Sequence, residues 1–389
     1  MRIVDEVKAE DTKHAEKQNV IKVVKNVVLA HYSDHVGSGT IRAIWPFNYL
    51  GSLFGKQGTL LPHLTQLFTR QSDILIRVRT MWFQRNMSPE HLTVMKEYRR
   101  LQEKLQYRMV YDMDDLVFGH NEEWGGTDIE GIPSYNFASD RVTDENRDVV
   151  RECMDVVDIV TVSTPYLKKY LENMGVKTRI EVVLNTVPRY MYSGKIEKQE
   201  IQKDIEKPVV LYNGSPTHYS NTKKMKGDLN NAWSDWVLKA VKEDKITFVC
   251  MGGCPWFWEE IKDKIRVIDW LPAFNYPFAM KQINPDFVIS PLTYNHFNQS
   301  KSDIKTIEAQ AIGAIPIGTV FSNGEESPYD NNLVKVFDNC TVEDIEEVIR
   351  KYSQKDEYNL TVAKGYQKLE DEARWTESPK FIRHLTSII

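Results

Sequence analysis

Residues 301–317 read KSDIKTIEAQAIGAIPI, and this stretch carries the most specific indication of the fold in the second half of the chain. Small apolar residues recur at helical spacing after a polar opening, so the stretch predicts a short helix. Gly313 is typical of a helix end, and the apolar run at 315–320 predicts a buried strand. A short helix that leads directly into a buried strand is typical of an α/β fold.

Lys305 and Glu308 lie three residues apart in this predicted helix, so their side chains share one face near the helix N-terminus. The ammonium group and the free backbone N–H groups of the first turn are suited to a pyrophosphate. The carboxylate is suited to accepting hydrogen bonds from ribose hydroxyls. The pair therefore predicts a nucleoside diphosphate site, although a surface ion pair on a packing helix has the same spacing.

Four segments upstream of this helix predict further strands of the same sheet. They lie at residues 209–218, 246–253, 266–271 and 286–292. The first runs into a Gly-Ser-Pro turn, and the second ends in two glycines. Polar groups follow the carboxyl ends of these strands, which is where open parallel sheets bind ligands.

The first half of the chain carries similar patterns. An apolar strand at 27–31 is followed by a loop with Gly37 and Gly39, and then by a predicted helix at 41–53. A second strand is predicted at 73–78. The glycine loop lacks the Gly-x-Gly-x-x-Gly dinucleotide fingerprint, which excludes a dehydrogenase of the Rossmann type.

The segment 109–118, MVYDMDDLVF, predicts a strand that delivers three carboxylates into a loop. They are Asp112, Asp114 and Asp115. An Asp-x-Asp pair can bind a divalent cation, but a carboxylate here can also act as a general base, position an acceptor or cap a helix. The residues alone leave these roles open, and Asp115 is chosen among the three as the catalytic candidate.

The pattern Lys-Ser-x-x-Lys-x-x-Glu-x-x-Ala-x-Gly-x-x-Pro at 301–316 resembles the C-terminal half of GT-B fold glycosyltransferases, phage-encoded and bacterial. The segments at 159–165 and 180–185 are similar to those that close the N-terminal domain of that family. The resemblance spans about 20–385 of the chain. It implies an α/β GT-B fold, in which two Rossmann-like domains enclose a cleft.

The length of 389 residues and the 41% of hydrophobic residues are sufficient for two buried cores. The resemblance implies an N-terminal acceptor-binding domain at 1–190, a linker at 191–207 and a C-terminal nucleotide-sugar-binding domain at 208–365. Residues 366–389 are expected to form a helical segment that is interrupted at Pro379 and crosses back to the first domain.

The resemblance also implies roles for individual residues. The donor is expected to contact Gly37, Gly39, Gly214, Ser215, Pro216, His218, Ser302, Asp303, Lys305 and Glu308. The acceptor is expected to contact Arg79, Trp82, Arg85, Asp112 and Asp114. The expected catalytic residues are Asp115, Lys226 and Lys305, with Lys223 and Lys224 as alternatives to Lys226. His218 keeps a second interpretation as a histidine without chemistry, and Asp303 keeps one as a helix cap.

These expectations describe an enzyme that moves a sugar from a nucleoside diphosphate sugar, a UDP-sugar by preference, to an acceptor hydroxyl. No metal or other cofactor is expected, because cations and N–H donors placed in advance can stabilise the charge on the departing diphosphate. Many retaining members of the family carry a second glutamate eight positions before the one that matches Glu308. Ser300 occupies that position here, which leaves the stereochemistry open.

Other features of the composition exclude several classes of protein. The four cysteines are scattered, so neither a disulfide framework nor a metal site is expected. The sequence has no apolar run of about 18 residues, and its first residues are charged rather than apolar. We therefore expect no membrane span and a cytoplasmic location, in the host cytoplasm if a phage encodes the protein.

The charge is unevenly distributed around an overall net charge of −5. Residues 37–110 carry 11 Lys or Arg against 4 Asp or Glu, whereas residues 111–160 carry 3 against 14. Aromatic residues are interleaved with the basic ones, namely Trp45, Phe47, Trp82, Phe83 and Tyr98. Such a surface can hold phosphates and stack an extruded base, although a solvated helix face has the same composition.

Double-stranded DNA with hydroxylated bases is therefore the preferred acceptor. The alternatives are a surface glycan or protein as acceptor, and an inactive GT-B module that binds nucleic acid or a partner protein.

Overall fold

The computed structural model describes residues 27–32, 37–53, 78–85, 88–116, 144–193, 200–214, 218–219, 224, 226–229 and 231–389. The predicted donor residues Ser215 and Pro216, and the alternative cation Lys223, lie outside these ranges. The described part of the chain contains two parallel β-sheets, each flanked by helices.

The first sheet has five parallel strands in the order β1-β2-β3-β4-β5. These strands are β1 (Val27–His31), β2 (Val78–Gln84), β3 (Arg108–Met113), β4 (Ile159–Val162) and β5 (Arg179–Val182). The accompanying helices are a π-helical turn (Thr40–Ile44), α1 (Trp45–Leu53), α2 (Pro89–Leu105), α3 (Asp144–Asp155), α4 (Pro165–Asn173) and α5 (Arg189–Tyr192). Helices α2 and α4 begin at a proline that follows a capping residue, Ser88 or Thr164, and each cap's hydroxyl accepts a backbone N–H of the first turn.

The second sheet has six parallel strands in the order β11-β10-β9-β6-β7-β8. These strands are β6 (Val209–Asn213), β7 (Thr247–Met251), β8 (Arg266–Ile268), β9 (Phe287–Ser290), β10 (Ile315–Val320) and β11 (Val334–Phe337). The helical elements are α6 (Asn231–Lys242), a 3₁₀ segment (Trp256–Lys264), α7 (Tyr276–Ile283), α8 (His296–Ser300), α9 (Ile304–Ala311), α10 (Val342–Tyr352) and α11 (Lys355–Asp371). Every residue of β9 and β10 is buried, because both faces of a parallel sheet are covered by other elements.

Alternate residues of β2 enter different cores on the two faces of the first sheet. Met81 and Phe83 belong to the core that includes residues of α2, α3 and α4. Trp82, which is fully buried, packs with Phe381 and Leu385 on the opposite face. The side-chain period of two in a strand accounts for this division.

The last helix, α12 (Pro379–Ile388), lies against the first sheet rather than the second. The Thr80 hydroxyl donates to the carbonyl of Ile389 at 2.7 Å, and the Arg108 guanidinium donates to the carbonyl of Ser387 at 3.0 Å. The chain therefore passes from the first sheet to the second, and its C-terminal helix returns to the first.

The predicted α/β fold with two Rossmann-like sheets is confirmed, but the predicted end of the second strand at Val78 is wrong. The strand is described over Val78–Gln84, and residues 73–77 lie outside the described ranges. Arg79 and Trp82 consequently lie within the strand instead of following it. Within the described ranges, no helix is long and apolar enough to span a membrane.

Candidate functional site

A cavity of about 220 Å³ lies at the carboxyl ends of the second sheet, where the first domain meets it. Its walls come from the ends of β6 and β7, from the segment after β8, from α7 and α9, and from the beginning of the first domain. The lining residues are Gly37, Ile41, Trp45, Asn213, Gly214, His218, Met251, Gly252, Trp270, Leu271, Ala273, Tyr276, Ile304, Lys305 and Glu308. The position agrees with the rule that open parallel sheets bind ligands beyond the carboxyl ends of their strands.

Gly214 brings backbone into this cavity wall at the end of β6. A Cβ atom at this position would collide with the ring and hydroxyl of Tyr212. Tyr212 is fully buried, so its ring has no room to move aside. Glycine is therefore required for this approach of the backbone to the cavity.

Lys305 extends from the first turn of α9 towards an imidazole rather than towards a carboxylate. Its Nζ lies 3.3 Å from His218 Nε2 and 5.7 Å from the centre of the Tyr212 ring. No carboxylate of the described residues forms an ion pair with it. Burial, and then the nearby charge of Lys301, lower the pKa of Lys305 to about 7.

Glu308, one turn later on α9, has both carboxylate oxygens engaged by tyrosine hydroxyls. Tyr192 donates to Oε1 at 2.7 Å, and Tyr276 donates to Oε2 at 3.2 Å. Burial raises the pKa of Glu308 to about 7, and the two tyrosine hydroxyls oppose this rise. The carboxylate therefore shares a face with Lys305, as predicted, but it is held by two aromatic residues far away in the sequence.

His218 and Asp228 form a buried pair behind Lys305. Burial, and then the charges of Lys301 and Lys305, lower the pKa of His218 to about 3, so the ring is neutral near pH 7. Its Nδ1 lies 2.7 Å from Asp228 Oδ2. A carboxylate can only accept, so Nδ1 carries the ring proton and Nε2 accepts from Lys305.

Asp228 is a member of the site that the sequence interpretation missed. It is almost fully buried, and it also accepts from the Thr293 backbone N–H at 3.1 Å and from Asn298 Nδ2 at 2.7 Å. Burial would raise its pKa, but the hydrogen bond from His218 and the charge of Lys301 keep it below its ordinary value. A single acidic residue in a polar loop carries no periodic signal, so only the fold identifies it.

The three aspartates after β3 have different environments. Asp112 is fully buried, and its carboxylate pairs with Arg42 and accepts from the Thr161 hydroxyl at 2.7 Å. Asp114 and Asp115 both pair with Arg85. Asp112 therefore has a structural partner in the core rather than access to an acceptor, which corrects its predicted role.

Asp115 pairs with Arg85, and Lys301 of the second domain also contributes positive charge to its environment. Burial raises the pKa of Asp115, and Arg85 and Lys301 oppose the rise. With 28% of its side chain exposed, it is the most accessible of the three carboxylates. Among the described residues, no three His, Cys, Asp or Glu side chains are grouped to hold a metal ion.

Ser300, which occupies the position where the resemblance led us to look for a second glutamate, lies in the contact between the two domains. Its hydroxyl accepts from the Leu116 backbone N–H at 3.1 Å and donates to the Phe297 carbonyl at 2.7 Å. Its own carbonyl accepts from the Thr164 hydroxyl at 3.3 Å. The fully buried serine thus joins the domains, and the position does not line the cavity.

Several other predicted residues lie away from the cavity. Arg79 is exposed near the amino end of β2, and Trp82 is fully buried in the core, so neither lies at the carboxyl edge predicted for acceptor contacts. Lys226 pairs with Asp235 at 3.2 Å and does not line the cavity. The alternative cation Lys224 has its Nζ over the Trp256 ring, at 5.5 Å from the centre.

Two residues before α9 are engaged by other parts of the chain. Asp303 precedes the helix without capping it through its side chain, which pairs instead with Arg374. The Ser302 hydroxyl accepts from Asn185 Nδ2 at 2.7 Å, across the contact between the domains. Gly37 does line the cavity, whereas Gly39 is buried at the start of the helix behind it.

No protein-family model matches the sequence, and a search of curated protein sequences finds no significant match. Solved structures with the same architecture include sucrose-phosphate synthase from Thermosynechococcus elongatus, which is 11% identical with a TM-score of 0.59. That alignment covers 93% of this chain and 97% of the other. HepE from Anabaena in complex with UDP is 9% identical with a TM-score of 0.54, over 93% of this chain and 98% of the other. At these identities the likeness concerns the fold, and it shows that this chain has the two-domain GT-B fold of glycosyltransferases.

Proposed function

We propose that this chain is a glycosyltransferase that moves a sugar from a nucleoside diphosphate sugar, a UDP-sugar by preference, to an acceptor hydroxyl. One observation carries the proposal. The cavity between the domains holds the ammonium group of Lys305, which has no carboxylate partner among the described residues. The negative charges of Asp228 and Glu308 only partly offset the burial of Lys305, so a desolvated cation without a direct ion pair remains costly, and a diphosphate is a ligand that supplies this contact.

The shape of the cavity supports a nucleotide. A diphosphate beside Lys305 and His218 places the ribose near Glu308, because Lys305 and Glu308 are neighbours on one helix face. The base then lies against the wall formed by Trp270 and Leu271. HepE has been solved with UDP and glucose and with UDP-glucose, which supports a UDP-sugar as the donor here.

The proposed chemistry needs no metal ion. The ammonium group of Lys305 meets the negative charge that develops on the departing diphosphate, and the neutral His218 ring holds that ammonium in place. Asp115 is the candidate that acts on the acceptor hydroxyl, because it belongs to the first domain and is the least buried of the three carboxylates. Lys226 is not assigned a direct contact with the diphosphate, because it pairs with Asp235 and does not line the cavity.

The acceptor is the less supported part of the proposal. All five aromatic side chains that favoured base stacking are buried, namely Trp45, Phe47, Trp82, Phe83 and Tyr98. Three of the basic residues on α2 pair with carboxylates, Lys96 with Glu152, Arg99 with Asp158 and Arg100 with Glu97. The excess of positive charge at residues 37–110 is then the one remaining argument for a hydroxylated DNA base as the acceptor. We therefore propose a surface glycan or protein as an equal candidate.

The first experiment is a thermal-shift screen of the full chain against UDP, GDP, ADP and their common sugars. A ligand that binds only the folded state raises the melting temperature, by an amount that depends on its concentration and affinity. We expect a shift with a nucleoside diphosphate and with its sugar. If no nucleotide produces a shift at millimolar concentration, the enzyme proposal is abandoned for the inactive binding module.

A second experiment separates the candidate acceptors once a donor is known. Release of the nucleotide is measured with hydroxymethylated duplex DNA and with glycan acceptors. Binding to DNA through phosphates weakens steeply as salt rises, whereas glycan binding does not. Slow hydrolysis of the nucleotide sugar without any acceptor identifies an active enzyme as opposed to a binding module.

We expect the affinity for a UDP-sugar to fall as the pH rises above about 7. Lys305 has a pKa of about 7 in the free protein, and a bound diphosphate raises it, so binding above this pH requires the uptake of a proton. The expected decrease is up to about tenfold per pH unit. It is measured by titration calorimetry between about pH 6 and pH 8.5, in two buffers that differ in ionisation enthalpy.

The matched control for this prediction is Lys305→Arg, because a guanidinium stays charged throughout this range. Its affinity is expected to lose the pH dependence and proton uptake that belong to Lys305 and to keep only those of Glu308, whose pKa also lies at about 7. A wild-type affinity that stays constant across the range contradicts the assignment of Lys305 as the cation that meets the diphosphate.

A further inference from the structure

The Asn213 side chain, at the end of β6, has a polar atom without a hydrogen-bond partner in the part of the chain that the structure describes. Asn213 lines the cavity and is 5% exposed, and its Oδ1 has no hydrogen-bond partner among the described residues. A buried acceptor without a partner is costly, so such atoms in a cavity wall are typically completed by a ligand or by water.

A chain of hydrogen bonds fixes which way the Asn213 amide points. The Asn213 Nδ2 group donates to the Tyr276 hydroxyl, and Tyr276 donates to Glu308 Oε2 at 3.2 Å. Tyr276 has a single hydroxyl proton, and the ionised Glu308 carboxylate can only accept, so with Glu308 ionised the Tyr276 hydroxyl donates to Glu308 and accepts from Asn213. The NH₂ group of Asn213 therefore faces Tyr276, and its carbonyl oxygen is left as an unengaged acceptor.

A second unpaired polar atom belongs to the other domain. Trp45 also lines the cavity, is 4% exposed, and its Nε1 donor has no partner among the described residues. Its ring meets that of Tyr192 edge to face, with the centres 6.1 Å apart, and Tyr192 holds the other oxygen of Glu308. Asn213 is thus linked to Glu308 by hydrogen bonds through Tyr276, and Trp45 contacts the ring of Tyr192, which is hydrogen-bonded to Glu308.

We infer that Asn213 and Trp45 recognise the two hydroxyls of the nucleotide ribose, and that Glu308 positions them through Tyr276 and Tyr192. One ribose hydroxyl donates to Asn213 Oδ1, and the other accepts from Trp45 Nε1. A vicinal diol fits this pair because each of its hydroxyls can both donate and accept. The inference rests on the proposed function, since a diphosphate at Lys305 is what places the ribose next to Glu308.

Ribose is favoured over the transferred sugar for a geometric reason. Asn213, Tyr276 and Trp270 belong to the second domain, as do Lys305 and Glu308, and Trp45 is the one proposed ribose contact that comes from the first domain. The transferred sugar must remain accessible to an acceptor that approaches from the first domain. The nucleoside therefore lies against the second-domain wall that carries Asn213.

The test compares the affinity for a nucleoside diphosphate with the affinities for its 2′-deoxy and 3′-deoxy analogues, beginning with UDP. Wild-type protein is expected to bind at least one deoxy analogue about tenfold more weakly, because a buried polar atom is then left unpaired. In Asn213→Leu the ratio for one analogue falls to about one, and in Trp45→Phe the ratio for the other falls to about one. The matched control Asn331→Ala, at an exposed position, keeps the wild-type ratios.

The possible outcomes distinguish a failure of the ribose inference from a failure of the proposed glycosyltransferase function. If wild-type protein binds UDP, GDP or ADP but does not distinguish the deoxy analogues, the ribose inference is wrong and the proposed function stands. The same holds if Asn213→Leu and Trp45→Phe keep the wild-type ratios. If no nucleoside diphosphate binds to wild-type protein, both the inference and the proposed function are wrong.

Glu308→Gln tests the positioning role separately. A glutamine can donate as well as accept, so the chain through Tyr276 can reverse and turn the Asn213 carbonyl away from the ligand. We expect this variant to lose discrimination between the ribose and deoxy analogues while it still binds the diphosphate. Retention of the full discrimination would show that Glu308 does not set the orientation of Asn213.

Discussion

Replacing Lys305 by methionine is expected to reduce nucleotide binding by roughly 100-fold, which corresponds to about 2.7 kcal/mol. Methionine retains most of the apolar stem and removes only the cation. The expected loss is large because the ammonium group lies in a desolvated wall, with an imidazole as its neighbour and no carboxylate partner among the described residues. Affinity is measured by calorimetry with the nucleotide that gives the largest thermal shift.

The same variant is expected to be more stable than the wild-type protein in the absence of ligand. Burial lowers the pKa of Lys305, so between about pH 7 and its ordinary pKa the folded state binds fewer protons than the unfolded state. The free energy of unfolding of the wild type therefore rises with pH across this window. Lys305→Met removes this pH dependence and is expected to raise the free energy of unfolding by about 0.5–2 kcal/mol near neutral pH. Such gains are common when a destabilising functional residue is replaced.

Lys264→Met is the matched control, because Lys264 is exposed in the same domain and away from the cavity. It is expected to change neither nucleotide affinity nor the pH dependence of stability. If Lys305→Met binds the nucleotide as tightly as the wild type does, the cavity is not the diphosphate site.

Replacing Asp112 by alanine is expected to lower the free energy of unfolding by about 3–5 kcal/mol. The change leaves Arg42, which is 4% exposed, without its counter-ion in the core of the first domain. The remaining partners of Arg42 are the Val183 carbonyl and Asn185 Oδ1, neither of which carries a charge. Urea unfolding followed by fluorescence measures the loss.

Two further variants make this prediction specific. Glu152→Ala removes an exposed partner of Lys96, so it is expected to cost at most about 1 kcal/mol. Arg42→Met combined with Asp112→Leu replaces the buried pair by apolar groups and is expected to recover most of the stability. If Asp112→Ala is as stable as the wild type and loses only acceptor turnover, the role first predicted for Asp112 is correct after all.

The local pattern at 301–317 was sufficient to predict a helix, a strand and the shared face of Lys305 and Glu308. Helix α9 and strand β10 occur where the pattern placed them, because helical spacing and apolar runs are properties of neighbouring residues. The α/β class and the parallel sheets could be predicted for the same reason. Strands of a parallel sheet are buried on both faces, so each one is visible in the sequence as a continuous apolar run.

The error at β2 shows where local reasoning fails. A strand that ends at Val78 leaves Arg79 and Trp82 beyond it, whereas the strand continues to Gln84 and includes both residues. Once the strand is extended, its period of two sends Trp82 into the core beneath α12. The packing of that C-terminal helix on the first sheet brings together residues about 300 positions apart, and no local pattern contains this information.

Local sequence pattern is enough to predict that a cation and a carboxylate share one turn of a helix at the edge of a parallel sheet. Their protonation and their hydrogen-bond partners depend on tertiary contacts. His218 lies 87 residues before Lys305, Asp228 has no local signal, and Tyr192 and Tyr276 reach Glu308 from two other helices. The physical reason is that burial and long-range hydrogen bonds set the pKa values and orientations of these groups, and both depend on contacts between segments that are distant in the chain.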